Sequence, residues 1–385
     1  MNLVMLSSYF NHHQETLSNE LYSICDSYHF IETKEINDER KKLGWGIDQK
    51  PDYVISYEYL NDNAEKVQKL IDEADVVVLG SAPDKLIRRR TRNKKIVFKY
   101  YERPLKKGSS IIKFVPRLLT WRIRSIDRKS IYMLCASAYT SADYAKFGLF
   151  KNKCYKWGYF PEVIKYDDID SLINKKKKNS ILWVARMKDW KHPEVAVEVA
   201  KRLKADGYDF ELNMIGNGEL EDDIKELIAK NDLSDCVNML GSMKPEQVRV
   251  HMEQSEIFLF TSDRNEGWGA VLNESMNSAC AVVASHAIGS VPFLIKDTEN
   301  GLIYKDGDID DLCRKTKWLL DHPEERRSMS SKAYRALIDE WNAENAAHKF
   351  ATLAEKILNG EDKPDVYEKD VCSKAEILKD DWYKV

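Results

Sequence analysis

Short apolar runs punctuate the 385-residue chain, and stretches whose apolar positions recur at helical spacing separate most of them. In the N-terminal part the runs fall at Leu3–Ser7, Tyr53–Tyr57, Val76–Leu79, Ile96–Tyr101, Tyr132–Ala136 and Cys154–Phe160. Helical patterns lie at Asn63–Ala74 and Thr140–Phe147, and a helix is expected to begin near Glu15. Tyr166–Asn179 is polar, lacks periodicity and ends in four consecutive lysines, so it reads as a crossing between domains. A second series then starts with strand Ile181–Ala185, helix His192–Ala205, strand Phe210–Ile215, helix Leu220–Leu233 and strand Val237–Leu240. Helix Pro245–Gln254, strand Ile257–Phe260, a further helix and strand Ala281–Ala284 continue it. Strands alternating with helices predict parallel sheets with right-handed crossovers. The chain is also too long for one ordinary core. The expectation is an α/β protein of two doubly wound domains, 1–165 and 180–358, joined by a linker at 166–179. Residues after Asp310 read as helical, with an amphipathic helix at Asn345–Leu358 and a tail over 359–385 that includes Ala375–Trp382.

The stretch Glu256–Ala279 carries the most chemistry. Its apolar start reads as a buried strand, Asp263-Arg264-Asn265 breaks the run, and Gly267-Trp268-Gly269 opens a helix with apolar Val271, Leu272 and Met276. A strand entering a helix through a glycine-containing turn leaves amides unpaired at the helix start, a ready site for phosphate. Glu266 stands just before that site. Glu274 follows eight residues later, on nearly the same helix face as Gly267 and roughly 10 Å along the axis. Carboxylates accept strongly from hydroxyl groups. A diphosphate flanked by two hydroxyl-rich rings fits this spacing, and a nucleotide sugar is such a molecule. Dipole complementarity alone also accounts for an acid at a helix start.

Glu266-x7-Glu274 resembles the signature of the retaining GT-B glycosyltransferases grouped as family 4 (glycosyl transferases group 1). The resemblance implies a GT-B fold, two Rossmann-like domains facing across a cleft. It implies that Glu266 contacts the transferred sugar, that amides of Gly267, Trp268, Gly269, Ala270 and Val271 hold the diphosphate, and that Glu274 binds the ribose. Arg186 and Lys191, in ARMKDWKHPE at the end of a strand, resemble the family's cations that grip the diphosphate. Two negative phosphates need such fixed cations; two surface cations in a lysine-rich chain are the plain alternative. Gly216-Asn217-Gly218 resembles the family's G-x-G loop near the nucleotide, and Gly241-Ser242-Met243 the loop that reads the base. Small residues there let backbone approach a ring, or merely turn the chain. The last helices of such proteins return to the first domain, as 359–385 is expected to do.

The resemblance is best over residues 180–305. Its first loop departs from the family, since Tyr9-Phe10-Asn11-His12-His13-Gln14 contains no glycine. Asn11, His12 and His13 are candidates to meet the acceptor, against the alternative of a solvated pair of histidines in a polar loop. Glu102 is a further acceptor-side candidate. The implied reaction is transfer of a sugar from a UDP-, GDP- or other nucleotide diphosphate sugar to a glycan or isoprenoid-linked glycan, in cell-surface polysaccharide synthesis. Glu266, Lys191 and Arg186 would be catalytic, with no cofactor and no metal. Asp306, Asp308 and Asp310 match D-x-D but precede a helix and read as turn and cap acids. A nucleotide-sugar epimerase of the same fold and a non-catalytic membrane- or polymer-binding scaffold are the rival readings.

Net charge is −3, which singles out no partner. Seven scattered cysteines without a C-x-x-C pair suit a reducing cytosol. The start MNLVMLSSYF lacks the features of a signal peptide, and no window is apolar enough to span a membrane. A cytoplasmic protein is expected, peripheral at the inner face of the membrane if its basic stretch binds there. That stretch, 85–130, holds seventeen Lys or Arg against Glu102 and Asp127, and includes IIKFVPRLLTWRIRSI. It suits an anionic membrane surface, the phosphates of an isoprenoid-linked acceptor, or a solvated basic face. No motif supports a nucleic-acid partner.

Overall fold

The apolar runs form two all-parallel sheets in the computed structural model, which describes residues 1–37, 46–47, 49–108, 116, 130–379 and 381–384. The first sheet comprises β1 (Asn2–Ser7), β2 (Ser27–Glu32), β3 (Val54–Ile55), β4 (Val76–Leu79), β5 (Ile96–Tyr101), β6 (Ile131–Cys135) and β7 (Cys154–Lys156). Their order is β3-β2-β1-β4-β5-β6-β7. The second comprises β8 (Lys177–Val184), β9 (Glu211–Ile215), β10 (Val237–Gly241), β11 (Ser255–Phe260), β12 (Ala281–Ser285) and β13 (Leu302–Tyr304), in the order β10-β9-β8-β11-β12-β13. Parallel strands covered by helices are apolar on both faces, and β4 and β6 are accordingly buried along their whole length. In each sheet the strand order reverses once, between β1 and β4 and between β8 and β11. Ligands of such sheets sit beyond the carboxyl ends of the strands at that reversal.

The chain divides into one unit of Met1–Glu162 with Trp341–Asp380 and another of Val163–Glu340 with Asp381–Val385. The return to the first unit thus begins at Trp341, before the helix Ala343–Leu358, which packs on the helix His12–Ile24. The tail forms no helix over the described residues 375–379. It borders β7, where Lys156 donates its amide to Ser373, Cys372 donates to Lys156, and Ala375 donates to Cys154. Tyr132 and Tyr155 add hydroxyl bonds to the carbonyls of Asp362 and Pro364. Residues 371–374 therefore cover a sheet edge that would otherwise present unpaired backbone.

Several expectations need correction. The first helix begins at His12, capped by Asn11, whose side chain accepts the amide of His13. His12 and His13 are first-turn helical residues, not loop residues. β2 is a strand the alternation did not reveal. The strand expected at Tyr53–Tyr57 shrinks to Val54–Ile55, because Ser56 caps a helix that starts at Tyr57. β7 ends at Lys156, short of Phe160. The expected linker holds a helix, Ile169–Asn174, and the first residues of β8. Within the lysine run, Lys176 is buried and donates from Nζ to the carbonyls of Met252, Ser255 and Ser278 at 2.8–2.9 Å. Its ammonium adds a donor to three carbonyls at or near the ends of two helices. Arg90 likewise donates in the first unit, fully buried with its guanidinium on the carbonyls of Ile71, Ala74, Asp75 and Ile96. The apolar segment 111–126 of the basic stretch lies outside the described residues except for Pro116. Among the described residues no helix is long and apolar enough to cross a membrane.

Candidate functional site

β8 and β11 are neighbours at the reversal of the second sheet, pairing Ile181 with Ile257 and Leu182 with Phe258. The loops leaving their carboxyl ends carry Arg186 and Lys191 on one side and Glu266 on the other. Beyond β8 the chain makes a short turn, Asp189–Lys191, and reaches His192 at φ 52° and ψ 55° before the helix Pro193–Ala205. Thr261, just past β11, stitches the two loops. Its hydroxyl accepts from Trp183 Nε1 at 2.8 Å and lies 2.7 Å from the Lys191 carbonyl, to which it donates. The amide of Asp263 donates to the Trp190 carbonyl at 3.1 Å.

This stitching brings the Lys191 ammonium onto the Glu266 carboxylate as an ion pair. Ser262 donates to the same carboxylate at 3.1 Å, and the ammonium lies 4.2 Å from the centre of the Trp190 ring. Both charged side chains are about nine-tenths buried, 11% exposed for Lys191 and 10% for Glu266. Arg186, in the same loop as Lys191, is exposed, and no carboxylate among the described residues pairs with it. One cation is thus held in place and a second is open to an anion.

The turn after Glu266 differs from the expected one. The helix starts at Val271, not Gly267. Gly269 has φ +85°, and a Cβ there would lie 2.4 Å from the Phe260 ring, so the turn admits only glycine without strain. Trp268 is fully buried, with Nε1 donating to Asn273 at 2.9 Å and its carbonyl accepting from Ser290 at 2.6 Å. Its side chain belongs to the core and fixes the turn from inside. The amides of Gly267, Gly269, Ala270 and Val271 meet no acceptor among the described residues. Glu274 lies in the first turn of that helix, half-buried. Burial pushes its carboxyl up to about 7, against the pull of Arg249.

Gly216 and Gly218 press on the Arg186 loop. A Cβ on Gly216 would stand 1.8 Å from the Ala185 carbonyl oxygen, and one on Gly218 2.4 Å from that of Met187. These glycines therefore admit backbone to backbone, where the sequence suggested room for a ring. Met243, beyond β10, is partly exposed in the next loop of the same sheet end. Asp308 caps the helix Ile309–Asp321 by accepting the Asp311 amide, as its spacing suggested. Among the described residues no cluster of three or more His, Cys, Asp or Glu is arranged to hold a metal.

In the first unit, Asn11 is buried as the helix cap, and the rings of His12 and His13 lie 3.9 Å apart. Burial lowers the His13 imidazole to about 3, helped by its neighbour His12, so it is neutral at physiological pH. Glu102 accepts from Tyr159 at 2.7 Å and from Lys106 at 3.0 Å. Tyr159 in turn stacks 6.5 Å from His13. The structure thus connects His12, His13 and Glu102 through one tyrosine, a residue the sequence did not single out. His192, Thr261 and Ser262 were also missed. Only their place beside Lys191 and ahead of Glu266 could have flagged them.

Residues 165–336 match the family described as Glycosyl transferases group 1. An amylovoran biosynthesis glycosyltransferase, AmsK of Erwinia amylovora, is 36% identical over 138 residues, 34% of each chain. A putative colanic acid biosynthesis glycosyltransferase, WcaL of Salmonella typhimurium, is 25% identical over 181 residues, 45% of this chain and 44% of that one. The match thus spans between a third and a half of these relatives. The Anabaena protein Alr3699/HepE, solved in complex with UDP, superposes with a TM-score of 0.68 at 13% identity, over 92% of this chain and 100% of that one. That likeness, with two all-parallel α/β sheets, is that of the GT-B fold. On this fold, residues 165–336, somewhat under half of the chain, resemble the glycosyl transferases group 1 family.

Proposed function

We propose that the chain is a retaining glycosyltransferase that moves a sugar from a nucleotide diphosphate sugar to a glycan or isoprenoid-linked glycan in the synthesis of a cell-surface polysaccharide. The observation that carries this reading is the juxtaposition of Lys191, Glu266 and the amides of Gly267, Gly269, Ala270 and Val271, which meet no acceptor among the described residues, at the reversal of the second sheet. The diphosphate would lie on the amides of 267–271 and on Arg186 and Lys191, with Glu274 at the ribose. As the bond from sugar to phosphate breaks, negative charge grows on the leaving phosphate, and these fixed donors stabilise it. Glu266 would accept from the hydroxyls of the sugar and orient it. With no nucleophile assigned, the acceptor would attack from the face the diphosphate leaves, giving up its proton to the leaving phosphate. The two cations and the amides would serve in place of a metal.

The relatives named for amylovoran and colanic acid biosynthesis support a polysaccharide product, and UDP in the Anabaena neighbour supports a uridine donor. His12, His13 and Glu102 are the proposed acceptor-side residues. The exposed Arg88, Arg89, Arg92, Lys94 and Lys95 support contact with an anionic membrane. The test is a transfer assay with UDP- and GDP-sugars and extracted lipid-linked glycans, read by mass spectrometry and by NMR of the new linkage. A product gaining one sugar with the donor's anomeric configuration supports the reading. An inverted product refutes the retaining step, and conversion of donor without acceptor favours an epimerase.

A further inference from the structure

We propose that His192 and Asp263 form a positioning pair that ties the turn carrying Lys191 to the turn carrying Glu266, so that the nucleoside diphosphate meets both in a fixed arrangement. The proposal rests on the donor-site reading above and adds two residues to it. His192 follows Lys191 directly and has left-handed backbone geometry, φ 52° and ψ 55°, which is uncommon for a residue with a side chain. That geometry directs its imidazole between carboxylates on two different elements. Nδ1 lies 2.8 Å from Glu194 on the helix Pro193–Ala205, and Nε2 lies 3.7 Å from Asp263 on the far loop.

Asp263 is itself the hub of the Glu266 turn. Its side chain accepts the Asn265 amide at 2.7 Å and the Asn265 side chain at 3.0 Å, and its carbonyl accepts the Glu266 amide at 3.0 Å. Its own amide reaches back to Trp190. Pulling on His192 therefore pulls on the segment that sets Glu266. The charged groups facing the imidazole are Asp263, Glu194 and, beyond β13, Asp306. Contacts with Asp263 and then Glu194 raise the imidazole to about 10, so it is a cation throughout the neutral range. Burial alone would raise the Asp263 carboxyl, yet His192 and the Asn265 amide hold it below the usual range. The pair is thus a charged tether, and it adds a third positive centre beside Lys191.

The test is calorimetric titration of the full chain with UDP, GDP and ADP, on the wild type, His192→Asn, Asp263→Asn and the double variant. Asparagine tolerates left-handed geometry, and at 263 it keeps the acceptor for the Asn265 amide, so both singles should melt close to the wild type. For the nucleotide the wild type binds, each single is expected to raise Kd about tenfold, and the double no further, since coupled residues do not add. Singles that bind like the wild type, or a double whose loss is the product of the two, would overturn the pair. A wild type that binds none of the three nucleotides fails earlier, at the donor-site reading, and leaves the pair nothing to position.

Discussion

Replacing Lys191 with methionine should separate stability from catalysis at this site. The substitution keeps most of the length of the side chain and removes the ammonium from Glu266. With both partners about nine-tenths buried, this pair falls outside the regime of surface salt bridges, where loss is barely measurable. Stranding one member of a buried pair destabilises by about 3–5 kcal/mol. At about 2–4 °C per kcal/mol for a domain of this size, the unfolding transition of the second unit should fall by roughly 6–20 °C. Turnover should fall about 100-fold, the loss typical of one transition-state donor, or about 3 kcal/mol. Glu266→Gln in the same background removes the stranded charge and leaves Ser262 as a partner. The double variant should therefore regain much of the lost melting temperature while staying inactive. Scanning calorimetry and the transfer assay read the two effects. A single variant that melts within about 1 °C of the wild type, or a double no more stable than the single, would refute a buried, paired Glu266.

Three further outcomes follow from the geometry. Glu274, held up to about 7 by burial, is a carboxylate above that pH and a neutral acid below it. Nucleotide affinity should therefore weaken as pH falls from 8 to 6, and Glu274→Gln should flatten that dependence in a titration series. Because the folded value lies above the unfolded one, the group favours folding at low pH and this contribution is lost as pH rises through about 7; Glu274→Gln should raise the melting temperature at pH 8. Truncation after Gly360 removes the segment along β7 together with the buried side chains of Val371 and Cys372, losing at least the roughly 1.5–3 kcal/mol of one buried side chain; limited proteolysis should then cut the first unit faster, and unchanged cleavage would count against the covering role. Flotation with anionic liposomes should retain the chain at low salt and release it at high salt, whereas no binding at low salt would remove the membrane contact.

The second sheet was legible because its strands are continuous apolar runs ending at recognisable turns. β11 and the glycine-containing loop after it stood out, and so did the strand end that places Arg186 and Lys191. β2 was not legible. Its sequence, Ser27-Tyr-His-Phe-Ile-Glu32, mixes polar and apolar residues, and its Glu32 is buried to accept the Phe10 amide and a bond from Lys50. Lys176 read only as part of a polar crossing because the three carbonyls it bonds come from distant parts of the chain. The true helix start at Val271 was hidden by Gly269, whose positive φ only the folded turn reveals. His192 gave no signal at all, because its role comes from a backbone twist and from Asp263, seventy-one positions further along the chain.

The central claim is that a nucleoside diphosphate is held by Arg186, Lys191 and the amides after Glu266. Arg186 tests it most directly, since it is exposed and pairs with no carboxylate among the described residues, so Arg186→Ala should fold and melt like the wild type. With UDP, GDP or ADP at 100 times its dissociation constant, the wild type should gain about 2.7 kcal/mol, a rise of several degrees. A tenfold weaker Arg186→Ala should gain only about 1.4 kcal/mol at the same concentration. A wild type that none of the three nucleotides stabilises, or an Arg186→Ala shift as large as the wild type's, would contradict it.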